Sequence, residues 1–264
     1  VYGRIDQDID RAIELLEKAR ETTLAENNKS HINLYVALGI KSRACLAEGD
    51  WDGAFKAAKR VIDEGGYAVG TKSDLTGGMN SLDKQNVMWG AGIQVADQAG
   101  GYAGFFTHMD NKEGAYAKSA PKLISKQLYN RISATDIRRD WWDPSDKESP
   151  YVSKKFSFAN VASFLGDYIY MRVEEMYFTA AEAALRLDDL KSARELMNTV
   201  MAERDPGYSA NNRSGTLLGA TTTTWTGSFL ENILTHRRIE LWGEYGRLFD
   251  VRRLGQGALE RAVR

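Results

Sequence analysis

Cysteine is nearly absent from this chain. Cys45 is the only one among 264 residues, so no intrachain disulfide can form and no thiolate zinc site can be assembled. Flanked by Ala44 and Leu46, it reads as a small buried helix residue and says nothing about redox compartment. Histidine is almost as scarce: His31, His108 and His236 are the three in the sequence, and no two stand at metal-ligand spacing, which argues against a catalytic zinc site. There is no Gly-x-Ser-x-Gly elbow and no phosphate-cradling Gly-rich loop ending in Lys-Ser/Thr, so acyl transfer and nucleotide hydrolysis find no local support. No cofactor is expected. An excess of charge is missing too, since 35 basic residues face 36 acidic ones. Nucleic acid or an anionic membrane surface would call for a broad positive field, and a neutral or weakly charged ligand fits this balance better. Finally, no apolar run of about 18 residues occurs and Val1-Tyr2-Gly3-Arg4 is no basic and apolar leader. Ile5, Ile9, Ala12, Ile13, Leu16 and Ala19 are already spaced for a helix face. That first helix is expected to pack on something earlier in a longer natural protein.

What the chain does contain is an internal echo. The segment from Ala44 to Ala54 aligns with that from Ala183 to Ala193 at a constant offset, and each reads as a helical hairpin turning at Gly49-Asp50 or Asp188-Asp189. Small residues at Ala44, Ala54, Ala58, Ala183 and Ala193 let antiparallel helices approach closely, as in a tetratricopeptide-type pair, whose single units must stack to bury their apolar faces. The periodicity predicts helices near 6–24, 32–48, 51–64, 121–131, 170–187, 190–204 and 228–245, with a short extended segment around Trp89, a core residue. The expected class is mainly α: a hairpin scaffold with long irregular loops and a few short strands.

Between the first hairpin and residue 121 the helical period stops and glycines cluster at Gly65-Gly66, Gly77-Gly78 and Gly100-Gly101. Long loops of this kind are often functional. Here Tyr102, Phe105 and Phe106 sit beside His108, Asp110 and Asn111 with no amphipathic period that would bury them. A sugar offers an apolar C–H face ringed by hydroxyls, so aromatic walls with a few placed polar groups suit it. Phe105 and Phe106 could instead fold inward as a loop anchor. Trp141 and Trp142 read as an exposed pair before Asp143-Pro144, with Trp142 a further candidate for the site, and Trp225 in a polar loop as a possible partner contact.

The last 30 residues carry the strongest pattern, HRRIELWGEYGRLFDVRRL over residues 236–254. It resembles the C-terminal signature of the SusD/RagB family. Four more blocks match that family's pattern in order: the hairpin around Leu46 to Ala58 ending at Gly65-Gly66-Tyr67, the Asp136-Ile137-Arg138 turn, the Arg172-to-Ala183 helix with its Arg and Glu-Ala landmarks, and Asn198 to Arg204. His236 stands where glutamate is usual and Tyr245 where glycine is common. The resemblance implies one domain lacking its N-terminal part, with first hairpins over 1–66, a loop-rich ligand-facing region over 67–168, and a closing hairpin with the signature over 169–264. It also implies an outward-facing lipoprotein of the bacterial outer membrane, held there only through an anchor outside this segment. Such a protein captures oligosaccharides, or peptides in RagB-like members, and passes them to a SusC-type TonB-dependent transporter.

Spacing supplies a role for the charges in these blocks. Arg237, Glu240 and Glu244, then Arg247 and Asp250, recur at three or four residues, and Glu175 and Glu182 share a helix face seven apart, with Arg172 preceding them. Arg238 and Arg252 are plausible partners for those two glutamates, and Trp242 and Phe249 should seal the region. A catalytic Glu240–Glu244 pair would need one carboxyl with a raised pKa, whereas neighbouring arginines lower it. An internal ion network is the reading favoured over catalysis, and the chain is expected to bind and not to catalyse. The competing classes are a glycoside hydrolase and a tetratricopeptide adaptor for a protein partner; the glycine-rich region argues against the adaptor.

Overall fold

The computed structural model describes residues 2–20, 28–97, 104–213 and 227–255. Helices dominate. In chain order they are α1 (Tyr2–Arg20), α2 (Leu34–Glu48), α3 (Trp51–Glu64), α4 (Lys72–Thr76), α5 (Phe105–Met109), α6 (Ala115–Ser119), α7 (Lys126–Tyr129), α8 (Val173–Arg186), α9 (Leu190–Ala202), α10 (Phe229–Glu240) and α11 (Arg247–Arg253). Strands β1 (Val87–Ala91) and β4 (Tyr168–Arg172) form one antiparallel pair, and β2 (Trp142–Asp143) and β3 (Val152–Ser153) another.

The two hairpins are built alike. In each, an aspartate caps the second helix: Asp50 accepts from the Gly53 amide and Asp189 from the Ser192 amide, satisfying a backbone donor the helix cannot. The residue before each cap is left-handed, Gly49 at φ 82° and Asp188 at φ 62°. Only the first hairpin has the glycine that this conformation favours. Ala54, Ala58, Ala183 and Ala193 are fully buried, as close helix approach requires, whereas Ala44 is half-buried. Cys45 sits with Leu46, Ala54 and Ala183 in a small cluster between the hairpins, and burial pushes its thiol up to about 12. The stack runs α1 on α2, α2 on α3, α3 on α8, α8 on α9 and α10. Its main core joins Val61, Met88, Met171, Phe178, Val200 and Phe229.

Three expected helices are corrected. The helix at 121–131 shrinks to α7, because Leu123 bridges Val152 and the Ile124 amide donates to Tyr151. The helix at 170–187 begins only at Val173, since 168–172 pair with β1. The helix at 228–245 ends at Glu240, after which Gly243 (φ 76°) and Gly246 (φ 113°) turn the chain into α11. Within the glycine-rich region the short helices α4, α5 and α6 appear where loop was expected. Trp89 is half-buried against the main core and meets Tyr170 edge to face. No helix among the described residues is long and apolar enough to cross a membrane.

Candidate functional site

Two constructions hold the irregular half of the molecule to the hairpins, and only one of them faces solvent. The inner one is a knot of charge. Arg138, Arg172, Arg204 and Lys155 are buried with Asp136, Glu174, Glu240 and, at its edge, Glu244. Glu240 accepts from Arg138 Nη1 (3.1 Å), Arg172 Nη1 (3.1 Å), and both Nε and Nη2 of Arg204 (3.0 Å each). Burial alone would raise its pKa, but those three guanidinium groups hold it well below the ordinary carboxylate value. Glu244 is lowered in the same way by Arg172 and Lys155, against its own burial. Burial brings the Lys155 ammonium down to about 8 even though it donates to Glu244 and to the carbonyls of Glu240 and Trp242. Neither glutamate has the raised pKa of a general acid.

A second ion cluster ties α8 to the C-terminal segment. Glu175 pairs with Arg43 and Arg237, and Glu182 with Arg186 and Arg253; Asp250 joins Arg237 and Arg253. The partners of Glu175 and Glu182 are therefore not Arg238 and Arg252, because α11 brings Arg253, not Arg252, over α8. Arg247 is also outside the network: its Nη1 and Nη2 are buried with no hydrogen-bond partner. Tyr245 is the platform beneath the Arg43 guanidinium, which stands 3.7 Å from the ring centroid. Trp242 seals the region against Trp142 and Phe156, but Phe249 stacks on Tyr245 and stays 44% exposed.

His236 makes a neutral contact with a buried arginine. Arg138 Nη2 lies 2.8 Å from its Nδ1. Burial first, then Arg138 and Arg213, drive the imidazole pKa well below 6.5, with Glu240 opposing. Below about pH 6.5 the unfolded chain binds a proton that the folded chain refuses, so stability falls with pH by about 1.4 kcal/mol per unit. Urea denaturation should therefore lose about 2 kcal/mol between roughly pH 6.5 and 5. His236→Gln, which keeps an acceptor for Arg138, should flatten that slope. An unchanged slope in the variant would exclude His236 as its source.

The outward construction is built from α5, α6 and the 143–161 loops. In α5, Phe106 turns inward and is 2% exposed, packed on Phe158 and Tyr168, while Phe105 meets Phe106 and Phe156 edge to face. Gly166 lies flat against the Phe106 ring, where a Cβ would stand 2.5 Å from it. Asp110 is buried: its Oδ1 accepts from the amides of Lys112 and Glu113 and its Oδ2 from that of Phe158. Asn111, half-buried, donates to the Ser153 carbonyl and accepts from the Lys122 amide, both at 2.8 Å. Trp141 and Trp142 are buried in the second core with Leu128 and Ile239, not exposed as a pair. Phe106 and Trp142 are thus buried in the scaffold, and Asp110, though buried, lines the cleft described below: rings without helical period still bury when several loops converge on them. Tyr102 and Trp225 lie outside the described residues.

His108 remains on the surface, and the fold gives it a partner that sequence reading missed. Gly114 starts α6 where a Cβ would meet the carbonyl oxygens of Phe106, Thr107 and Asp110 at 2.5–2.8 Å, so a side chain there would push α6 off α5. The close approach brings Tyr116 over His108, ring centroids 4.7 Å apart and planes at 8°. Tyr116 is 42% exposed. The signal available in sequence was two short glycine-led segments, at Gly104 and Gly114, each carrying a ring. Lys112, Glu113 and Lys118, from the same two turns, line an open cleft of about 830 Å³ whose far wall carries Asp146, Glu148 and Lys154.

Fold and site together define a helical-hairpin scaffold that carries one irregular, loop-built face. The SusD family model matches residues 105–261, and the chain belongs to that family. Among solved structures, a SusD-like carbohydrate binding protein from Bacteroides vulgatus ATCC 8482 superposes with a TM-score of 0.72 at 28% identity, over 93% of this chain and 51% of that one. A SusD superfamily protein from Bacteroides thetaiotaomicron VPI-5482 (TM-score 0.68, 18% identity, 97% and 60% covered) shares the fold. So does surface glycan-binding protein A from Bacteroides uniformis (0.63, 17%, 94% and 57%). The chain thus spans about half the length of the first of these. No curated protein matches it.

Proposed function

We propose that the chain is the larger C-terminal part of a surface protein that captures oligosaccharides. In this reading it delivers them to a SusC-type TonB-dependent transporter in the outer membrane, and the protein is anchored there by a lipid outside this segment. The reading is supported by membership of the family, by the description of its 28%-identical relative as carbohydrate binding, and by the His108–Tyr116 ring pair. That pair is the observation that carries it: two parallel, exposed rings beside a wide cleft of mixed polar character match the apolar face and hydroxyl rim of a sugar. His108 and Asn111 remain ligand candidates, as do Tyr102 and the half-buried Phe105. The family and the lowered pKa values of Glu240 and Glu244 both favour binding over hydrolysis.

The test is calorimetry against a panel of neutral oligosaccharides, with peptides in parallel. At least one glycan should bind, and Tyr116→Ala should weaken it about tenfold, roughly 1.4 kcal/mol, while leaving the unfolding midpoint in place. Glycan affinity indifferent to Tyr116, or binding of peptides alone, would overturn the assignment.

A further inference from the structure

A second cleft, of about 490 Å³, lies between the 130–133 loop, the 205–213 loop and α10, and it shares no residue with the cleft beside Tyr116. Its volume is within the roughly 300–1,000 Å³ of small-ligand sites. Two of its polar lining groups are more than nine-tenths buried and carry an atom with no hydrogen-bond partner among the described residues. The first is His236, 8% exposed. An arginine has no acceptor, so the Nδ1 that faces Arg138 must itself accept, and the ring proton therefore sits on Nε2. Among the described residues that N–H has no hydrogen-bond partner. The second is Asp205, 5% exposed. Its Oδ1 accepts from Thr135 Oγ1 at 2.5 Å and the Gly207 amide at 3.0 Å, and its Oδ2 accepts from none of the described residues. Neither atom is sealed from solvent, so both open into the cleft, and a ligand that both accepts and donates matches this pair.

The remaining groups narrow the chemistry. The Tyr208 hydroxyl donates to Asn232 Oδ1 at 2.7 Å, which leaves the amide nitrogen of the cleft-lining Asn232 as a further donor, and the Tyr208 ring stands edge-on to His236 at 5.2 Å. Asn212 offers an exposed amide at the rim. The Asp205 carboxylate would repel an anion, and Arg131 and Arg213 on the walls would repel a cation. Neutral hydroxyl groups satisfy all of these at once, each one accepting from an N–H and donating to the carboxylate. We infer that this cleft is a second saccharide subsite, which holds a neutral sugar residue between His236 Nε2 and Asp205 Oδ2. The inference rests on the saccharide reading above and adds a contact on a separate face, through which one long glycan, or two chains, could be held at two points.

Long-range proton–nitrogen NMR of the His236 imidazole reports this cleft directly, and the Tyr116 ring resonances report the other. The chain is titrated with neutral trisaccharides of glucose, mannose, galactose and xylose, and with glucuronic acid. A neutral trisaccharide should shift His236 Nε2 saturably, and Asn212→Trp, a filling substitution at an exposed rim position, should weaken that response about tenfold or more. If Tyr116 responds and His236 does not, the subsite is disproved and the main reading stands. Silence at both reporters defeats both, and a response to glucuronic acid alone refutes the neutral-sugar assignment.

Discussion

Glu240→Gln is expected to destabilise the chain by about 3–5 kcal/mol, the cost of breaking a buried ion pair and leaving its partners uncompensated. The reason is numerical as much as local. One carboxylate accepts four hydrogen bonds from Arg138, Arg172 and Arg204, and all four side chains are essentially out of solvent. An amide keeps one acceptor oxygen but sets an NH2 against guanidinium donors, so repulsion replaces attraction on that side. Asp136 and Glu174 still face Arg138 and Arg204, which keeps the loss finite. Against a typical total of about 5–15 kcal/mol, such a loss should bring the urea midpoint down to a small fraction of the wild-type value. The exposed Lys56–Asp52 pair on α3 gives the control, since Lys56→Ala should cost no more than about 0.5 kcal/mol. A Glu240→Gln protein as stable as that control would mean that the charges reorganise with water and that the knot is not what joins the loops to the hairpins.

That knot also marks where sequence reading stops. The hairpins were legible because their determinants are local: a capping aspartate, a tight turn and small residues at fixed offsets act within a dozen positions. The signature residues Arg237, Glu240, Glu244 and Asp250 were legible as structural for the same reason, as their spacing puts them on neighbouring turns. Their partners were not. Arg138 comes from 102 residues before Glu240, and Arg43 from 132 before Glu175, and nothing in either segment's own periodicity announces the meeting. Arg252 and Arg253 were indistinguishable until the turn at Gly243 and Gly246 set the rotation of α11. The loop aromatics were undecided for a different reason. Absence of an amphipathic period left exposure and inward anchoring both open for Phe105 and Phe106, because period diagnoses burial only for a regular element against a flat core. Where loops converge, each ring buries by its own route, as Phe106 does against Gly166, and the exposed ring, Tyr116, stood among small and charged neighbours that gave it no prominence.

Trp142→Ala is the second large effect, an expected loss of about 3–5 kcal/mol, and it separates scaffold from ligand surface. Trp142 is 1% exposed, set edge to face with Trp141 at 5.8 Å and Trp242 at 5.7 Å. Its Nε1 has no hydrogen-bond partner, so removing the ring forfeits packing and no hydrogen bond, and the whole cost is cavity and lost contact. Trp142→Phe keeps part of the ring stack and removes an unpaired buried donor worth about 1–3 kcal/mol, so it should cost clearly less than alanine. Chemical denaturation of the two variants measures this ordering. Were Trp142 instead a wall of the ligand site, both would fold like wild type and lose glycan affinity. As a core residue, Trp142→Ala should keep its affinity wherever it remains folded, the reverse of Tyr116→Ala, because the ring pair at His108–Tyr116 is carried by α5 and α6 and does not touch Trp142. The two substitutions together distinguish what holds the loop-built face in shape from what that face presents to a sugar.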